Sequence, residues 1–178
     1  AKIDDKSTID VSSADRVLDA KGCVVGPGLI DSHVHIVFGD WTPRQNALGW
    51  IESYMHGGIT GMMSASEVHL PGWPKDPVGV KALAITAQRA YSVFRPGGVK
   101  VYAGSVIFQP GLTEADFSEM AQAGVWLGKV GFGDFKKPTD AQPLVRLAQI
   151  HGFVVMSHTG EASIPGSAPI TAEDLMVL

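Results

Sequence analysis

The sequence predicts an α/β fold in which parallel strands alternate with helices. Apolar, β-branched runs and segments of helical spacing follow one another at intervals of roughly 30 residues, as crossovers between parallel strands require. Glycine and proline, 21 and 11 of the 178 residues, separate these segments along the whole chain. Five such units do not close a barrel of eight. The pattern alone therefore leaves two alternatives, an open doubly wound sheet or part of a longer protein.

Five apolar runs predict the strands, and a glycine lies at or just before the start of each. They cover residues 28–36, 59–65, 99–108, 125–130 and 153–157. Their lengths are those of strands buried in a parallel sheet.

Helical spacing of apolar residues predicts the intervening helices. They cover residues 43–55, 78–94, 113–124 and 139–151, and a last helix starts at Thr171. Thr42 and Pro43 are start signals for the first helix, and Glu114 and Asp116 place acidic groups at the positive end of the third. The last pattern stops at Leu178 without a cap, which favours a truncated chain. Residues 1–22 hold too few strands for a domain and are interpreted as the remnant of a preceding β-rich domain.

Composition excludes several classes of protein. Apolar residues make up 45% of the chain and the formal net charge is −4, which argues against a disordered tail and against nucleic-acid binding. No apolar run is long enough to span a membrane. Cys23 is the single cysteine, and the first residues do not resemble a secretory leader. We therefore expect a cytoplasmic protein.

His33 and His35 are the strongest chemical signal in the chain. Residues two apart on a strand face the same side, so the two imidazoles project together. Such a pair is suited to binding zinc. The alternative is a pair of hydrogen-bonded histidines without a metal.

The stretch VVGPGLIDSHVH, residues 24–35, resembles the first-strand signature of the amidohydrolase superfamily, metal-dependent hydrolases on a distorted (β/α)8 barrel. Further segments are similar to the enamidase branch, which opens cyclic enamides: HGGIT (56–60), HLPGWPKD (69–76), VKALAIT (80–86), GLTEADF (111–117) and HTGEASIPGS (158–167). The resemblance covers about residues 20–178. It implies that residues 23–178 are about the first five βα units of a TIM-like barrel.

The resemblance implies two further metal ligands. Members with two metals have a bridging residue at the end of strand 4, where Lys129 lies, and a histidine at the end of strand 5, where His158 lies. Lys129 would bridge only as a carbamate formed with CO2, which requires a depressed lysine pKa; glutamate serves in some relatives. The alternatives are a lysine paired with a carboxylate and a hydrogen-bonded core histidine.

The loops after the strands are expected to carry substrate contacts. Arg44 is a candidate clamp for a substrate carboxylate, and His69 a candidate substrate contact. The alternatives are a surface arginine and a histidine that only holds its loop. His56 and His151 precede glycines at helix ends and are interpreted as structural.

The implied activity is hydrolysis of a C–N amide bond in a small cyclic substrate by metal-activated hydroxide. The cofactor would be two divalent ions, zinc or else iron, manganese or cobalt. Members of the superfamily also use a histidine after strand 6 and an aspartate after strand 8; neither position falls in this sequence, and Asp31 is not assigned the role of that aspartate. We therefore assign no catalytic acid or base here. The alternatives are a mononuclear deaminase or imidazolone-type hydrolase, and a catalytically incompetent fragment or scaffold homologue. We expect a homo-oligomer.

Overall fold

The computed structural model describes residues 4–12, 14–36, 46–67, 72–131, 135–159 and 169–178, with the backbone alone for residues 6 and 46–50. These segments contain six strands: β1 (Leu29–Val34), β2 (Ile59–Ser64), β3 (Lys100–Tyr102), β4 (Val106–Ile107), β5 (Leu127–Val130) and β6 (Val154–Ser157). They form two three-stranded sheets, in the orders β1-β2-β3 and β4-β5-β6, and every pairing is parallel. The predicted α/β class is therefore confirmed.

The described segments also contain five α-helices, which lie between and after the strands: α1 (Asn46–His56), α2 (Pro77–Val93), α3 (Glu114–Gln122), α4 (Gln142–Ile150) and α5 (Ala172–Val177). Glu114 and Asp116 lie in the first turn of α3, as predicted, and Thr113 and Asp116 also form a capping box there. The predicted fourth helix, residues 139–151, is present, but its first turn, Pro138–Ala141, is a 3-10 helix and the α-helix begins at Gln142. Pro143 has no N–H and is tolerated in the first turn of α4, which starts one residue before it.

The prediction of one continuous third strand over residues 99–108 is wrong. The strand is divided into β3 and β4, and Gly104 lies in the break with φ +90°. A β-carbon on Gly104 would lie 2.6 Å from the carbonyl oxygen of Ala84 in α2, so only glycine fits this approach. The break separates the two sheets.

Each sheet has its own hydrophobic cluster on the side of the helices. Ile51 of α1 and Tyr91 of α2 pack with Val34 and Val101 against the first sheet. Phe117 of α3 stacks edge-on against both Phe108 and Phe153, at centroid distances of 5.4 and 5.5 Å, against the second. Because these clusters take up the helix-facing residues of each strand, the residues between them lie on the opposite face.

Before β1 the described residues include one short 3-10 helix, Lys6–Thr8, and are otherwise irregular. No helix in the described segments has the length and apolar character needed to cross a membrane.

Candidate metal centre

His33 in β1 and His35, which directly follows β1, lie on the face away from the helices. Their neighbours Val34 and Ile36 are buried in the first hydrophobic cluster, which leaves the histidines on the other side. The two imidazoles have centroids 5.4 Å apart and an interplanar angle of 78°. The predicted juxtaposition of this pair is therefore present in the structure.

A β-bulge precedes the pair, and the sequence pattern did not predict it. Asp31 pairs with Met62 and Val34 with Ser64, so β1 has one residue more than β2 over this interval. Within the bulge the backbone N–H of His33 donates to Asp31 Oδ1 at 3.0 Å. Asp31 thus supports the backbone of the first histidine.

His35 is oriented by a backbone carbonyl. Its Nδ1 lies 2.9 Å from the carbonyl oxygen of Ser66, just after β2. A carbonyl oxygen only accepts, so Nδ1 carries the proton and donates. The ring nitrogen able to bind a metal ion is then Nε2. Metal-binding histidines characteristically have their other nitrogen held in this way.

Lys129 lies on β5 and is completely buried, with 0% of its surface exposed. No described residue lies within hydrogen-bonding distance of its Nζ, so the alternative of a lysine paired with a carboxylate finds no support in the described segments. Burial lowers the pKa of Lys129 to about 8. An appreciable fraction of this amine is therefore neutral near neutral pH.

His158 directly follows β6 and extends the ladder, since its N–H donates to the carbonyl oxygen of Val130 at 2.9 Å. Lys129 pairs with Met156, so alternation places His158 on the face of Lys129. Burial and the positive charges of Lys129 and His158 lower the pKa of His33, whereas Asp31 opposes the shift. Lys129 and His158 therefore lie near enough to His33 to act on it electrostatically.

The four residues fit the chemistry of a divalent cation but do not form a closed cage. Among the residues that the structure describes, no three His, Cys, Asp or Glu side chains lie close enough together to hold a metal ion. The arrangement is two adjacent imidazoles with a third imidazole and a buried amine nearby. Neutral imidazoles and an unprotonated amine are the states that metal binding requires.

Other predicted contacts divide between described and undescribed parts of the chain. Arg44 and His69 lie outside the described residues. His56 is the last residue of α1 and His151 caps α4, where the sequence predicted structural histidines.

Two buried polar residues at strand ends were not predicted from the sequence. Gln109 follows β4, is 0% exposed, and neither amide atom has a partner within the described segments. Because Ile107 pairs with Lys129, alternation puts Gln109 on the face of the lysine. Glu67 follows β2 and is 3% exposed. Both residues could have been found by the pattern that identified His158, which is a polar residue at the end of an apolar run.

Parallel strands with imidazoles and a buried amine at their carboxyl ends define this chain as part of an α/β domain whose polar site lies at one edge of its sheets. Comparison with known proteins identifies relatives of this chain. Enamidase from Eubacterium barkeri is 53% identical over 161 residues, which are 90% of this chain and 42% of the enamidase. An imidazolonepropionase of Paenarthrobacter aurescens (strain TC1) is 50% identical over 54 residues, 30% of this chain and 13% of that protein.

The structural comparison agrees with the sequence comparison. The crystal structure of enamidase at 1.9 Å resolution, described as a new member of the amidohydrolase superfamily, matches with a TM-score of 0.77 and 53% identity, over 85% of this chain and 40% of that one. No family model matches the sequence. The chain belongs to the amidohydrolase superfamily and is a relative of enamidase. It spans about two fifths of the length of that relative.

Proposed function

We propose that this protein hydrolyses a C–N amide bond in a small cyclic substrate of the lactam or enamide type. The observation that carries the proposal is the 53% identity to enamidase in a chain that presents an oriented pair of histidines at the end of its first strand. We place its strand–helix units at the start of a (β/α)8 barrel, whose active site lies at the carboxyl ends of the strands.

His33, His35, Lys129 and His158 would hold the metal centre. A divalent cation bound there, zinc or else iron, manganese or cobalt, supplies an activated water and polarises the amide carbonyl. Burial, the largest cause of the lowered pKa of His33, supports neutral imidazole at this position. His35 supports the proposal through its Nδ1–H bond to Ser66, which holds its ring with Nε2 as the ligand atom.

Lys129 would complete a two-ion centre as a carbamate. The neutral amine adds to the carbon of CO2, forming an N–C bond and releasing one proton, and the product is an anionic oxygen donor. Its pKa of about 8 and its lack of a described carboxylate partner both support this reaction, because only the unprotonated amine attacks.

Gln109 is our candidate for a direct substrate contact. Its buried amide presents a donor and an acceptor without described partners. A cyclic amide holds its N–H and C=O on the same side, so a single glutamine can bond both. We also retain Arg44 as a contact for a substrate carboxylate and His69 as a second loop contact.

The proposal includes a cytoplasmic homo-oligomer, and the exposed single cysteine, Cys23, supports the reducing setting. Sedimentation of the purified protein would measure its oligomeric state.

A mononuclear imidazolone-type hydrolase is the second candidate, because an imidazolonepropionase matches 54 residues of the chain. Two measurements separate the candidates. We expect two metal ions per chain and ring opening of cyclic amides, detected by chromatography of the product. One ion per chain together with turnover of imidazolones alone would favour the second candidate.

A further inference from the structure

The residues after β2 form a buried polar cluster, which we call the Glu67 clasp and define as Ser64, Ser66 and Glu67. Ser64 and Ser66 are both 0% exposed and Glu67 is 3% exposed. The hydroxyl of Ser64 donates to Glu67 Oε2 at 2.7 Å and accepts the backbone N–H of Ser66 at 3.2 Å. A single serine side chain therefore links the carboxyl group to the peptide of Ser66.

The backbone of Ser66 is strained. Its φ is +110°, a conformation that residues with a side chain rarely adopt. Such strain persists where surrounding contacts hold the residue in place, and it concentrates at functional sites. Here the contact at the N–H of Ser66 is the Ser64 hydroxyl, while its carbonyl oxygen is the group 2.9 Å from His35 Nδ1.

The other oxygen of Glu67 is anchored across the break in the third strand. Gly104 donates its backbone N–H to Glu67 Oε1 at 2.6 Å, and the backbone N–H of Ser105 also bonds the carboxyl group. Gly104 is itself held close to α2. The clasp therefore connects the end of β2 to the break between the two sheets, where the backbone lies against α2.

We propose that Glu67 is a positioning residue: through Ser64 it holds the strained Ser66 peptide, whose carbonyl fixes the ring orientation and the Nδ1–H tautomer of His35. The inference rests on the proposed function only in taking His35 as a metal ligand. The described hydrogen bonds of Glu67 go to Ser64, Gly104 and Ser105 and not to the metal-binding candidates. It acts by presenting one carbonyl oxygen where the imidazole needs it.

A merely structural role for Glu67 makes a different prediction. Loss of a buried hydrogen-bonded carboxyl group would then lower thermal stability without altering the His35 ring in the folded protein. The experiment must therefore observe the ring itself and separate its state from overall stability.

The test compares two disrupting variants with matched controls in the intact protein. Glu67→Leu removes the hydrogen bonds of the carboxyl group to Ser64, Gly104 and Ser105, and Ser64→Ala removes the link to Ser66. Glu67→Gln is the conservative control, because its amide oxygen still accepts from Gly104 and its NH2 donates to the Ser64 hydroxyl. Ser105→Ala removes a buried hydroxyl that has no described partner. Met120→Ala weakens the core of α3, away from the clasp.

Nitrogen NMR of the metal-free protein with labelled histidine reads the His35 tautomer, and titration with zinc alone reads the affinity. We expect Glu67→Leu and Ser64→Ala to show mixed tautomers and a zinc affinity lower by about 10–100-fold. Glu67→Gln and Ser105→Ala should keep the Nδ1–H tautomer and wild-type affinity. Met120→Ala should lower the melting temperature and change neither readout.

The inference is overturned if Glu67→Leu and Ser64→Ala retain the wild-type tautomer and zinc affinity. Its failure is distinguishable from failure of the proposed function through His35→Ala. Zinc affinity unchanged in His35→Ala removes the ligand assignment itself. Zinc binding lost in His35→Ala but kept in both clasp variants rejects the positioning role and leaves the metal centre standing.

Discussion

Gly131 lies directly against His158: a β-carbon on Gly131 would be 2.5 Å from the β-carbon of His158, and the φ angle of Gly131 is +150°. Real β-carbons do not approach so closely, so a side chain at position 131 requires the backbone at Gly131 or at His158 to shift. Gly131 directly follows β5, as His158 directly follows β6. The glycine therefore determines where the third imidazole can lie.

We expect Gly131→Ala to lower the metal content of the purified protein, measured by elemental analysis. Gly152→Ala is the matched control, because Gly152 also has a positive φ, +81°, but nothing lies within 4 Å of its added β-carbon. In both variants the free energy of unfolding should fall by roughly 1–2 kcal/mol, because a residue with a β-carbon is strained at a positive φ. Equal metal content in the two would show that His158 is not displaced or not a ligand.

His33→Ala should reduce the metal content severely, because it removes one imidazole of the pair at the end of β1. His56→Ala is the control, since His56 lies at the end of α1 and is assigned no metal. Elemental analysis of both proteins after identical purification checks the prediction. Wild-type stoichiometry in His33→Ala would refute the assignment.

Lys129→Met should abolish activity while keeping or raising the melting temperature of the metal-free protein. A buried polar group without a partner costs about 1–3 kcal/mol, and methionine fills a similar volume without that cost. Lys81→Met is the control and should keep the activity but lower the melting temperature. Lys81 bonds Asp116 and Glu119, each at 2.7 Å, and the substitution removes both bonds. A large fall in stability for Lys129→Met would indicate that the amine has a stabilising partner.

Gln109→Leu should likewise raise stability, since the amide of Gln109 is buried without described partners. If Gln109 contacts the substrate amide, KM for a lactam rises in this variant, whereas KM for the N-methyl lactam changes less because that substrate cannot donate. Steady-state kinetics with both substrates measure the difference. An equal change for the two substrates would argue against a bond to the amide N–H.

Glu67 predicts a pH dependence of stability. Burial raises its pKa from the ordinary 4.5 to about 7, against the opposing effect of its hydrogen bonds. The folded state therefore binds more protons than the unfolded state between these values, and stability falls as the pH rises from about 4.5 to about 7. The loss is about 3 kcal/mol from a shift of this size.

Glu67→Gln does not titrate and should lack this contribution. Urea unfolding of both proteins, repeated at intervals of about one pH unit between about pH 4 and 8, gives the difference between their free energies of unfolding. We expect the free energy of unfolding of Glu67→Gln to increase relative to that of the wild type as the pH rises. A constant difference would mean that the carboxyl group keeps its ordinary pKa in the folded protein.

Much of the fold followed from local pattern. Glycines before each apolar run, and acidic residues at a helix start, are signals between residues close in sequence. The structure confirms four of the five predicted strands and the start of the third helix, whereas the predicted strand over residues 99–108 is divided. The break at Gly104 could not be predicted in this way, since it depends on the approach of α2. Nothing near Gly104 in the sequence reports that contact.

By itself the sequence determined the parallel α/β class and the shared face of His33 and His35, because strand periodicity depends only on neighbouring residues. Tertiary structure decided which nitrogen of His35 is engaged, that Lys129 is buried without a described partner, and that Glu67 joins the two sheets. The physical reason is that burial and hydrogen-bond partners come from segments far apart in the chain, which meet only when the helices pack on the strands.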